Sequence, residues 1–227
     1  MPKAIKKVIA RKSDEEQYQE SVEHLRERLQ ERQRTLVKVG AAVLAVMVMI
    51  AGVFVYLDSA RTKAATYELE GYRHLAGGDP ATAGLPAEER IKKALEAFSK
   101  AYDARKSADL KFSMGLCYFD LGRYDEAIKA FQEVGESADV RFAGLGQYKV
   151  AMVQLKKGDS AKALAALEKV VLTRNAPLQD LALVEMGKIL AAQGKAEEAK
   201  AKYQEVMTKF PKSPVAEEAK ALLGPQK

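Results

Sequence analysis

The sequence predicts an all-α protein: one apolar helix long enough to cross a bilayer, followed by a solenoid of stacked helical hairpins. Two observations carry this prediction. Residues 39–57 read VGAAVLAVMVMIAGVFVYL, nineteen residues without a charge. Further on, five positions recur three times at an interval of 36 residues: Gly115/Ala151/Gly187, Gly122/Gly158/Gly194, Ala127/Ala163/Ala199, Phe131/Leu167/Tyr203 and Val134/Val170/Val206. Self-similarity at a fixed period of this order marks a repeat architecture.

An apolar helix of about 20 residues spans the hydrocarbon core. A cleaved signal peptide is the alternative, and two features speak against it: the stretch begins only after residue 38, and it is longer than the roughly 7–15 apolar residues of such a peptide. No small-x-small cleavage pattern follows Leu57, so the stretch reads as an uncleaved single-pass anchor. Arg26, Arg28, Arg32, Arg34 and Lys38 precede it, against Arg61, Lys63 and Arg73 after it. Flanking Lys and Arg favour the cytoplasmic side. This predicts a cytoplasmic N-terminus in the inner membrane and an extracytoplasmic domain over 58–227, in the periplasm of a Gram-negative cell. Ala41 and Ala45 have small-xxx-small spacing, a common feature of Ala-rich spans.

The formal charge is +6 over 227 residues. Residues 1–38 hold ten Lys/Arg and seven Asp/Glu, and 58–227 hold the other +3. Only the first twelve residues are densely basic, with Lys3, Lys6, Lys7, Arg11 and Lys12 facing no acid. That suits a tail near anionic lipid. A nucleic-acid footprint needs a basic patch with a reading motif, so membrane lipid is an expected contact and nucleic acid is not.

The N-terminal segment opens with Ser13 and, three residues on, Glu16, the form of a capping box. Val22, Leu25, Leu29 and Leu36 share one helical face, which Arg32 interrupts. Two readings stand side by side. One is a short coiled coil or docking helix, which includes a homo-oligomer formed through this segment; the other is a charged helical stem with no partner.

No catalytic, cofactor or metal site is expected. His24 and His74 fall on opposite sides of the span, and Cys117 is the only cysteine. No HExxH, CxxC or P-loop occurs, and Gly144-Leu145-Gly146 is too short for a dinucleotide fingerprint. The pairs Glu88-Glu89, Glu197-Glu198 and Glu217-Glu218 each open a helix, where acids suit the dipole. Cys117, Tyr118 and Tyr124 read as packing residues. The chain is therefore expected not to be an enzyme.

Within each repeat the small residues at 115/151/187 and 127/163/199 let two helices approach, and the large residues at 131/167/203 fill the space beyond. Gly122, Gly158 and Gly194 sit where a first helix ends and a left-handed residue is needed. The segment MGLCYFDLGRYDEAIKAFQEV (114–134) resembles the tetratricopeptide repeat: Gly115, Tyr118, Gly122, Ala127, Phe131 and Val134 stand at that family's small, aromatic, glycine, alanine, aromatic and apolar positions. KYQEVMTKFPKSPVAEEAKALL (202–223) resembles a last repeat and capping helix, with Pro211 after the helix. The period of 36 rather than the family's usual 34, and the absence of Trp, depart from its pattern. Ala94, Phe98 and Ala101 repeat the second-helix pattern once more. A degenerate hairpin is therefore expected, its first helix over about 58–76 ending near Gly77-Gly78, with Pro80 and Pro86 in the loop. That helix follows the span directly, so the membrane helix is expected to continue into the domain. The resulting fold class is a transmembrane helix followed by a tetratricopeptide-type α-solenoid, with three clear hairpins, one degenerate hairpin and a C-terminal cap. The segments are 1–38, 39–57 and 58–227, with repeats at about 58–107, 108–143, 144–179 and 180–212 and the cap at 213–223.

First helices line the concave face of such a solenoid. The inward positions map to Phe112, Leu116 and Phe119, then Leu145, Tyr148, Met152 and Leu155, then Leu181, Val184 and Lys188. Either these form an apolar groove for a hydrophobic or amphipathic segment, or they pack against neighbouring helices. Their apolar character argues against capture of a free carboxylate.

A short cytoplasmic N-terminus, one span and an external repeat domain together resemble the ancillary subunit of the bacterial Sec translocon, and YLDSARTKAATYELEGY (56–72) is similar to that family's junction. The resemblance implies a protein-interaction adaptor whose partners are translocon subunits, periplasmic chaperones or secretory clients. The alternative is a structural scaffold for cell-division or outer-membrane assembly machinery.

Overall fold

A computed structural model describes residues 14–77, 82 and 84–224. The basic tail, the Ser13 cap, Gly78 and Pro80 lie outside them. The described residues form helices joined by turns and short loops, without strands. The helices are α1 (Asp14–Ala76), α2 (Ala87–Ala104), α3 (Ala108–Asp120), α4 (Tyr124–Gly135), α5 (Val140–Lys156), α6 (Ser160–Leu172), α7 (Gln179–Ala192), α8 (Ala196–Lys209) and α9 (Ala216–Leu223). The chain divides into two compact units, Met1–Asp58 and Ser59–Lys227.

In the first unit, α1 is long and apolar enough to cross a membrane, and none of its apolar window is buried. Residues 39–57 of this helix carry no charge.

In the second unit, α3/α4, α5/α6 and α7/α8 form the three clear hairpins. Their turns are alike. Gly122, Gly158 and Gly194 have φ of +72°, +81° and +77°. Around Gly122, the Arg123 amide donates to the Tyr118 carbonyl at 2.8 Å and the Gly122 amide to Phe119 at 2.9 Å. The same two bonds recur as Asp159 to Gln154 with Gly158 to Leu155, and as Lys195 to Leu190 with Gly194 to Ala191. This is the Schellman pattern, which satisfies helix-end carbonyls and requires a left-handed residue. Asp159 then caps α6 through the Lys162 amide at 3.0 Å.

The degenerate hairpin is present as well. The end of α1 packs on α2: Gly71 abuts the Phe98 ring, and Tyr72 meets that ring edge-on with centroids 5.1 Å apart. Ala94, Phe98 and Ala101 are buried with Leu110, Met114 and Cys117 of the next repeat. A central cluster links α4, α5, α6 and α7 through Phe131, Ala151, Leu167 and Ala182. The C-terminal cluster joins Leu183, Val184, Tyr203 and Val206 to Ala219 of α9. Glycines set the closest approaches: Gly146 of α5 lies against the backbone of Phe131, Val134 and Gly135.

Candidate functional site

Residues three and four apart share a helix face. That spacing sets Phe112, Leu116 and Phe119 in one row along α3, and Leu145, Tyr148, Met152 and Leu155 in one row along α5. Phe112, Leu116, Phe119, Tyr148, Met152 and Leu155 are half-buried, and all pack against the central cluster while keeping accessible surface. Phe112 leans on Phe131 with centroids 5.4 Å apart. Phe119 leans on Tyr124 at 5.8 Å. Leu145 and Leu181 are also half-buried.

Val184 is different. It stands 36 residues after Tyr148, yet it is 0% exposed, enclosed in the cluster that Ala219 of α9 completes with Val215 packed against it. It offers no surface to line a groove. The physical reason is its neighbour: α9 follows this last hairpin and brings Ala219 and Val215 into the cluster around Val184.

Lys188 ends the row with charge. Its Nζ lies 2.9 Å from Glu185 and 2.7 Å from Glu218. The hydrogen bond that Lys188 donates to Glu218 holds the ammonium above its ordinary value, against the opposing effect of burial. Tyr148 lies in the field of this group: burial pushes its hydroxyl upward, and the charge of Glu185 adds to the effect. The face is thus apolar on α3 and α5 and ionic on α7, where α9 meets it. Glu185 is legible in the sequence as the acid three residues before Lys188. Glu218 is not, because its link to Lys188 crosses 30 residues and only the docking of α9 makes it.

Nothing on this face is arranged for covalent chemistry. Cys117 is 1% exposed, and burial pushes its thiol up to about 12, so it stays protonated at neutral pH. Among the described residues no three His, Cys, Asp or Glu side chains are grouped to hold a metal. His74 is buried, with Nδ1 3.4 Å from the Thr82 hydroxyl and Nε2 3.6 Å from Glu70. Glu88-Glu89, Glu197-Glu198 and Glu217-Glu218 lie in the first turns of α2, α8 and α9. Gly144 and Gly146 serve close packing: Gly144 faces Ala176 and Pro177, and Gly146 faces the end of α4.

The comparisons agree with this architecture. No curated protein matches the sequence. Among solved structures, MamA is similar with a TM-score of 0.52 at 22% identity, over 70% of this chain and 80% of that one. A MamA RS-1 double mutant is similar at 0.50 and 19%, over 70% and 90%. YrrB, described as a tetratricopeptide repeat protein with an unusual peptide-binding site, matches at 0.48 and 21%, over 73% and 90%. The likenesses to the two MamA structures are of fold. The sequence model of the tetratricopeptide repeat-like domain matches residues 32–222. The chain belongs to the tetratricopeptide repeat-like domain family and carries a protein-interaction domain of that type.

Proposed function

We propose that the chain is a membrane-anchored adaptor of the bacterial envelope, with 39–57 crossing the inner membrane, the N-terminus in the cytoplasm and the repeat domain in the periplasm. There the face of α3 and α5 receives apolar or amphipathic stretches of partner proteins. The observation that carries this reading is the row Phe112, Leu116, Phe119, Tyr148, Met152 and Leu155, apolar and only half-buried on consecutive first helices. Apolar surface gathered on one face of a soluble domain serves a partner more often than solvent. The anchor is supported by an uncovered apolar helix and by the family match, which begins at residue 32, ahead of that stretch. The matched range therefore includes the apolar stretch.

The resemblance of residues 56–72 to the translocon subunit's junction supports a finer reading, in which the clients are secretory chains leaving the translocon and the adaptor hands them to periplasmic chaperones. The scaffold reading draws on a different observation: Phe112 and Phe119 rest on Phe131 and Tyr124 of their own hairpin, which leaves less free surface for varied clients. Photocrosslinking in cells from a probe replacing Tyr148 separates the two. Many secretory clients together with translocon subunits are the expected result. One dominant folded partner would support the scaffold, and crosslinks confined to the chain itself would sink the open-groove reading.

A further inference from the structure

Within the Met1–Asp58 unit, α1 carries a face that none of the described residues of that unit covers. Tyr18, Val22, Leu25, Leu29, Arg32 and Leu36 follow one another at intervals of 4, 3, 4, 3 and 4, the a/d alternation of a heptad. The alternation continues unbroken through the apolar stretch as Val39, Val43, Val46, Ile50, Val53 and Leu57. Of the seven Val and Ile residues in 39–57, five fall on it. A β-branched side chain has one dominant rotamer in a helix and loses little freedom when packed. An a/d pattern sustained beyond about 3–4 heptads argues for a coiled coil. The whole face is exposed, Leu29 by 66% and Ile50 by 63%. Leu25, Arg28, Leu29, Arg32, Thr35 and Leu36 frame an open furrow along it. In a parallel, in-register pair, Leu25, Arg28, Leu29 and Arg32 are the four residues whose hole receives the Leu29 knob of the other helix.

We propose that a second copy of this chain covers this face, as a parallel, in-register, left-handed coiled coil over residues 18–57. Charge placement fits that occupant. Across such a pair Ser21 meets Arg26 and Arg28 meets Gln33, so no like charges oppose each other beside the seam, while Glu20, Glu23 and Glu27 lie on its outer side. Arg32 is the one charged seam residue. In register it confines the cost of a polar layer to one level, whereas a slip of one heptad would spoil two. A lone polar seam residue selects register at the expense of stability. The common direction of the two helices rests on the anchor reading, since two copies entering the bilayer from the same side run parallel; left-handed packing is also the usual geometry of paired membrane helices.

The test uses the full chain in isolated membranes, with single substitutions Leu25→Cys, Leu29→Cys and Leu36→Cys on the seam and Glu27→Cys, Gln30→Cys and Arg34→Cys off it. Cys117 is buried and serves as the background. Under mild oxidation the seam positions should give a disulfide-linked dimer at least about 10-fold more strongly than the outer positions. Arg32→Leu should lower the dimer dissociation constant in detergent by a comparable factor. Absence of dimer at every position, equal yields at all six, or adducts with a different protein would each overturn the proposal. Alkaline extraction of the same membranes tests the anchor separately, so failure of the anchor and failure of the pairing are told apart.

Discussion

The ring of Phe131 lies so close to the backbone of Gly115 that a Cβ on that glycine would stand 2.6 Å from Phe131 Cε1. The same relation joins Gly71 to Phe98, where the Cβ would stand 2.7 Å from the ring, and Gly187 to Tyr203. The remaining hairpin places Ala151 and Leu167, both 0% exposed, in this role. Glycine accompanies an aromatic ring and alanine accompanies leucine, so the helix spacing is kept by exchanging volume between the two positions.

Gly115→Ala alone should destabilise the domain by up to about 2 kcal/mol, an overpacking cost of about 1–3 kcal/mol less a helix-propensity gain of about 1 kcal/mol. Phe131→Leu alone should cost about 1–2 kcal/mol through lost burial. Together they recreate the Ala151–Leu167 pair, and the double variant should lie at least ~1 kcal/mol above the sum of the two. Urea unfolding of the full chain in detergent measures this. Simple additivity would mean that the two positions are not coupled.

Gly146→Ala should be the harsher substitution. The atoms its Cβ would meet are backbone, Phe131 O at 2.6 Å and Val134 C at 2.9 Å, and backbone inside a helix cannot swing aside as a ring does. A loss of about 2 kcal/mol or more, the upper end of overpacking costs less the same helix-propensity gain of about 1 kcal/mol, is expected in the same unfolding experiment. A value below that of Gly115→Ala would contradict the close approach of α4 and α5.

Cys117 should resist thiol reagents in the folded chain and react on unfolding, because burial moves its proton release from 9.0 to about 12 and only the thiolate is nucleophilic. The sign of the linked stability follows. Between about 9 and 12 the unfolded chain loses this proton and the folded chain keeps it, so folding binds a proton and stability falls as pH rises through that window. Below 9 this group has no effect. Labelling rates against denaturant, and unfolding midpoints at pH 8 and 10 (about two units apart) compared with Cys117→Ala, test both statements.

Met152→Lys and Val184→Ala should separate binding from stability. Met152 is half-buried, so a lysine there can turn its charge to solvent and shift stability by less than about 1 kcal/mol, while client capture from the Tyr148 probe falls by roughly 10-fold. Val184 has no exposure, so its truncation should cost about 1–3 kcal/mol and leave capture by the intact fraction unchanged. Equal capture by Met152→Lys and the native chain would remove α5 from the binding face.

Much of this molecule was legible in its sequence for a local reason. A helix end is written in one glycine and the two hydrogen bonds that close over it, so Gly122, Gly158 and Gly194 announced three identical turns. The period of 36 residues announced three hairpins, and nineteen uncharged residues announced an apolar helix. In the fourth hairpin, Ala94, Phe98 and Ala101 marked the second helix, and the first was expected over about 58–76, where α1 ends at Ala76. The partnership of Gly71 with Phe98 was hidden, because 27 residues separate them where 16 separate Gly115 from Phe131.

The sequence by itself thus determined the helices, their turns and their repetition, since each depends on neighbours a few residues away. Only the tertiary structure decided which equivalent positions remain open. Phe112, Tyr148 and Val184 are the same position of three repeats, and Leu116, Met152 and Lys188 are another. Val184 is closed and Lys188 is tied to Glu218 because α9 docks beside them, while the first two repeats keep their apolar side chains at the surface. Exposure is a property of whatever packs next to a residue, and that neighbour is chosen by the fold.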